Sequence, residues 1–110
     1  MDLPSNIQFS TEKIKKAFEG LKDDSQKQEF SSQLTRALMN IERNAFCGVQ
    51  IPKRLIPKEY FQRYKIKNLW KYNLSGGWRV LYSIESNGII VMSIIICWLN
   101  HKEYERRFKY

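Results

Sequence analysis

The sequence predicts an α+β fold, and three observations carry the prediction. Apolar residues recur at helical spacing through the first 45 positions, the period switches to two near residue 68, and an unbroken apolar run closes the pattern at residues 88–99. At 110 residues, with 43% hydrophobic and 14% aromatic content, the chain has material for one modest core, so residues 1–110 read as a single domain.

The elements follow in order. "NIQF" (6–9) reads as a short edge strand. Ser10 or Thr11 then caps a helix whose inward stripe is Ile14, Ala17, Phe18 and Leu21. "KDD" breaks that pattern, and Ser25 with Gln28 three positions on forms a capping box for a longer helix. Its stripe is Phe30, Leu34, Ala37, Leu38, Ile41 and Ala45, and the two helices are expected to form an antiparallel hairpin. Residues 46–67 carry the weakest pattern: Pro57 can open a short helix through Tyr64, or the segment is a long basic connection.

Period two then takes over. Trp70, Tyr72 and Leu74 alternate with Lys71, Asn73 and Ser75, and after the glycines Trp78, Val80, Tyr82 and Ile84 alternate with Arg79, Leu81, Ser83 and Glu85. Asn87-Gly88 marks a second hairpin turn. The expected strands are 69–75, 78–85 and 89–98, a three-stranded antiparallel meander. The last is central because its apolar run lacks alternation. "NHKEYERRFKY" closes the chain as a turn and short helix. One face of this sheet takes the helical stripes, and the other is expected to be open for a ligand.

The charge is segregated. Residues 1–50 are balanced, and the whole net charge of +8 falls in residues 51–110. Lys53, Arg54, Lys58, Arg63, Lys65, Lys67 and Lys71 lie within a stretch that holds only Glu59 in opposition. A one-sided positive field suits a polyanion, and a nucleic acid is the commonest. A membrane partner is not expected: no segment is a basic amphipathic helix, and the longest apolar run has about half the ~20 residues of a span. "MDLPSNIQF" has neither the basic start nor the apolar core of a secretory signal, and Cys47 and Cys97 read as buried reduced thiols, so a cytoplasmic location is expected. No zinc spacing, nucleotide loop or Ser-His-Asp pattern occurs, and no metal or cofactor is expected.

Arg79 stands out as a cation inside an apolar strand. With Trp78, Val80, Tyr82 and Ile84 on the helices, it faces the other way. A two-residue Gly76-Gly77 turn would point Lys71 away from it. A three-residue Ser75-Gly76-Gly77 loop, which is favoured, would put residues 71, 73 and 79 on one face.

In "LWKYNLSGGWRVLYSI", the strand after it and "NHKEYERRF", the chain resembles the RelE/ParE superfamily of toxin–antitoxin toxins, and especially the RelE-like ribonucleases. The resemblance implies a RelE-like fold and a metal-independent endoribonuclease that cleaves mRNA, typically in the ribosomal A site. It implies mRNA, ribosome and a cognate antitoxin as partners. Carried over by position, Arg79 is similar to the family's strand arginine, Lys71 to its strand lysine, and His101 and Lys102 to the pair after the last strand. Asn73 falls where a second basic residue is often found. Tyr104 is the nearest candidate for the family's tyrosine, with Tyr110 a weaker one; the usual position holds Arg106 or a neighbour.

The implied roles are phosphate clamping for Arg79, a second clamp or base for Lys71, and acid or base for His101, whose imidazole is the side chain that titrates near neutrality. Tyr104 would stack on a base or orient the 2′-hydroxyl. Lys53, Arg54, Lys65, Lys67 and Arg106 would guide RNA, and Glu103 and Glu105 read as helix-surface charges. Two other readings stay open: a ParE-like toxin that binds a protein such as gyrase without cleaving, and a basic RNA- or ribosome-binding module without activity.

Overall fold

The computed structural model describes residues 1–108. The elements are β1 (Asn6–Phe9), α1 (Glu12–Leu21), α2 (Gln28–Arg43), β2 (Val49–Gln50), α3 (Lys58–Tyr64), β3 (Trp70–Asn73), β4 (Arg79–Ser86), β5 (Val91–Leu99) and α4 (His101–Phe108). The fold is α+β, with a five-stranded sheet in the order β1-β5-β4-β3-β2.

The sheet is mixed rather than antiparallel throughout. β3, β4 and β5 form the expected meander, but β1 lies parallel to β5, from Asn6 opposite Met92 to Phe9 opposite Ile95. The helices between them supply the long crossover that a parallel pair needs. β5 begins at Val91 and not at residue 89, because Asn87 Oδ1 accepts from the amides of Ile89 and Ile90 and keeps both in the turn.

α1 starts where Thr11 Oγ1 accepts from the Ile14 amide at 3.2 Å. Ile14, Phe18 and Leu21 turn inward, whereas Ala17 falls on the solvent side. The expected Ser25–Gln28 box does not form. Asp24, one residue earlier, accepts from the Gln26 amide at 2.9 Å and opens a 3₁₀ turn at Ser25–Lys27. The Gln28 side chain instead donates back to the carbonyls of Lys22 and Asp24. Leu34, Ala37, Leu38 and Ile41 then bury against Val80, Tyr82 and Ile95.

The second face of the sheet is not open. Leu69, Leu81, Ile96 and Leu99 pack there with Ile51, Ile56, Tyr60 and Ile66 from the 46–67 segment and with Tyr104 and Phe108 of α4. Strands apolar on both sides must be covered on both sides, since exposed apolar area is unfavourable at roughly 25 cal/mol per Å². Residues 46–67 are therefore no loose connection. β2 pairs with β3 through Val49 opposite Lys71, and Pro57, at φ −56°, leads into α3. β5 also carries an extra residue: Leu81 faces Cys97 while Tyr82 faces Ile95, leaving Ile96 as a bulge turned into the second core. No helix among the described residues is long and apolar enough to cross a membrane.

Candidate functional site

The β3–β4 loop sets the site. Leu74 N donates to Trp78 O at 2.8 Å and Asn73 lies opposite Arg79, so the loop has three residues, Ser75, Gly76 and Gly77. Gly76 and Gly77 hold φ values of 74° and 82°, which disfavour a side chain. Lys71, Asn73, Arg79 and Leu81 consequently share the face of the second core. Arg79 Nη1 donates to Gly77 O at 2.6 Å, fixing the guanidinium against the loop.

α4 brings the other half. Asn100 Oδ1 accepts from Glu103 N at 2.9 Å, and Glu103 Oε1 accepts from Asn100 N at 3.2 Å, a reciprocal cap that starts the helix directly after β5. Glu103 is thus part of the helix start rather than a plain surface charge. The cap delivers His101 onto Gly77 and Tyr104 into the core, where it is 1% exposed. Arg79 Cζ lies 4.5 Å from the Tyr104 ring centroid and Lys71 Nζ lies 5.1 Å from it. Phe108 stacks on the same ring, with centroids 4.5 Å apart and planes at 18°.

Arg79 Nη2 approaches His101 Nδ1 at 3.4 Å, and His101 Nε2 pairs with Glu105, four residues on. A guanidinium only donates, so in this arrangement Nδ1 is the acceptor and the ring proton sits on Nε2. Arg79 Nε is buried with no acceptor, and Arg79 pairs with no carboxylate among the described residues.

Four of the residues singled out in the sequence, Lys71, Arg79, His101 and Tyr104, are thus brought together. Arg79 sits half-buried at the margin of the second core, not on an open face, because α4 covers that face beside it. Tyr104 is too buried to stack on a base; its ring is the platform for the two cations. Lys102 and Arg106 are exposed on α4. Lys53 and Arg54 lie in an exposed 3₁₀ turn, Lys65 ends α3 at φ 56°, and Lys67 is exposed beyond it. Arg54 and Lys58 line a surface groove of about 490 Å³ with Arg107 and Phe108, at the far end of α4 from His101. Tyr110 lies outside the described residues. Glu105 is exposed on α4, as expected of a helix-surface charge, and it also pairs with His101, which its i,i+4 spacing on a helix signals.

α4 is tied to α3 where Arg107 Nη1 donates to the Tyr60 hydroxyl at 3.3 Å. Burial pushes the Tyr60 phenol up to about 12 and the Cys97 thiol up to about 11, so both stay protonated at neutral pH. Cys47 and Cys97 are free thiols, but Cys47 is exposed in the turn before β2 rather than buried, and Cys97 is partly buried. No group of three or more His, Cys, Asp or Glu that could hold a metal ion occurs among the described residues. Comparison with known protein families, curated proteins and solved structures finds no match to this chain.

Proposed function

We propose that the protein is a RelE-like toxin, a metal-independent endoribonuclease that acts on mRNA, with the ribosome and a cognate antitoxin as partners in the cytoplasm. The observation that carries the reading is the convergence of Lys71 and Arg79 on one buried ring, beside His101, with Arg79 Nε buried and without an acceptor. Arg79 pairs with no carboxylate among the described residues, and a phosphodiester offers the oxygens that a guanidinium fork binds.

In the reaction, the 2′-oxygen bonds the adjacent phosphorus as its proton passes to His101. The phosphorus–5′-oxygen bond breaks with its electron pair going to the 5′-oxygen, which takes a proton from water, and the hydroxide left behind takes back the proton held on His101. The products are a 2′,3′-cyclic phosphate and a 5′-hydroxyl. Arg79 and Lys71 stabilise the charge that builds on the phosphorane. The exposed cations of the α3 region and α4 guide the RNA backbone, making affinity fall steeply with salt.

One observation supports a second reading, RNA binding without cleavage: Asn73, directly opposite Arg79, brings no proton carrier to the site. The test is cleavage of mRNA on translating ribosomes with a chelator present. Wild type should cleave, and Arg79→Ala should lose about a hundredfold or more in rate with the fold intact. Equal activity in both removes Arg79 from the mechanism. Salt-sensitive RNA binding without cleavage selects the binding module, and growth arrest without either selects a protein target such as gyrase.

A further inference from the structure

Glu105 stands one helical turn beyond His101 and pairs with its Nε2. It is the α4 carboxylate left for this task, because Glu103 is engaged with the Asn100 amide. The two side chains are 58% and 52% exposed, so packing does little to orient the imidazole. At its base the side chain stands close against Gly77, where an added Cβ would lie 3.1 Å from the His101 Cβ. At its tip the hold is Glu105 on one nitrogen and the long Arg79 contact on the other.

We propose that Glu105 is a positioning residue for His101. Its carboxylate accepts the hydrogen bond of Nε2–H and fixes the Nδ1 lone pair toward Arg79, which makes Nδ1 the atom that exchanges protons with a substrate. Arg79 Nη2 occupies Nδ1 at rest, across 3.4 Å. A phosphate that draws the guanidinium onto its own oxygens uncovers Nδ1, so the base is released by the group it is to act beside. Glu105 then balances the charge of the imidazolium that forms. An exposed pair of this kind contributes little to stability, so its loss should appear in the ring and in turnover, not in the fold.

The chemical part rests on the ribonuclease reading; the ring geometry does not, and the experiment separates them. His101 is the single histidine of the chain, so its ring ¹⁵N signals need no assignment. With the ring deprotonated, wild type should show the widely separated shifts of a pure Nε2–H tautomer. Glu105→Ala should draw them together toward the averaged values of a free imidazole, and Glu105→Gln, which keeps an acceptor oxygen, should restore the separation. Inorganic phosphate added to wild type should move the Nδ1 signal.

In mRNA cleavage, Glu105→Ala should lower kcat about tenfold or more with KM little changed. Identical ring shifts in wild type and Glu105→Ala overturn the proposal whatever the RNA result, as does an unchanged kcat in Glu105→Ala beside an active wild type. Altered shifts with no cleavage by any form support the positioning and remove the ribonuclease reading.

Discussion

Gly77 lies directly against His101, so close that a Cβ on the glycine would stand 3.1 Å from the His101 Cβ. The same residue holds a φ of 82°. Gly77→Ala therefore meets backbone strain and displaces the start of α4, and it should lower stability by about 1–2 kcal/mol. Gly76→Ala is the control. It shares the positive φ, at 74°, but its nearest neighbour would be 3.9 Å away. Urea midpoints should fall for both variants, while only Gly77→Ala should also shift the His101 ring signals.

Tyr104 is the support under both cations, and it is the larger structural commitment. Tyr104→Ala empties a fully buried site beneath Arg79 and Lys71 and beside Phe108. The expected loss is about 3–5 kcal/mol, read from chemical denaturation. Arg79→Ala removes a half-buried side chain and should be far milder. A Tyr104→Ala protein as stable as wild type would show that the ring is not the floor of the site.

Tyr82, on the middle strand β4, reaches the turn at Ala45–Gly48. Its hydroxyl donates to Ala45 O at 2.7 Å and accepts from Gly48 N at 3.1 Å, holding the turn that carries β2 onto β3. Tyr82→Phe leaves two backbone groups without this partner and should lower stability by about 1–3 kcal/mol. Gly48→Ala should be worse, because its Cβ would lie 2.6 Å from both Lys71 O and the Tyr82 hydroxyl oxygen. Matched urea titrations of the two variants check the order.

The sequence shows these features unevenly. Thr11, the Leu34-to-Ile41 stripe and the three-residue loop that brings Lys71 beside Arg79 follow from local rules, and local rules operate between near neighbours. The covered second face does not. Its residues come from Ile51 through Ile66 and from Tyr104 and Phe108, segments with no strong period that meet only in three dimensions. The clue was nonetheless present in residues 88–99, whose missing alternation already demanded cover on both faces. The parallel partner of β1 was hidden for the same reason as the second face. The Asp24 cap was a local contest between adjacent capping residues that spacing alone does not decide.

Alkaline pH should weaken the fold. Burial raises the Cys97 thiol from an ordinary 9.0 to about 11, and the Tyr60 phenol from 10.0 to about 12. Both groups hold their protons more tightly when folded. Their contribution is complete below about pH 9 and is lost as pH climbs through the range from 9 to 12. Urea midpoints should drop between about pH 8 and about pH 10.5, and Cys97→Ala should flatten the early part of the fall. A midpoint that stays level in wild type would contradict these shifts.

The N-terminal strand is fastened to the far end of the chain. Ser5 Oγ meets Ser93 Oγ at 2.8 Å across a separation of 88 residues, and the same hydroxyl donates to Ile41 O. The β3–β4–β5 hairpins can close over short loops, whereas β1 must be captured across nearly the whole polypeptide, and such distant closures are what slow a folding reaction. β1 is thus expected to join after the meander has formed. Until it does, the outer backbone edge of β5, the most apolar strand, stays uncovered and able to pair with another chain, which makes the docking of four residues the step that guards this protein against self-association as it folds.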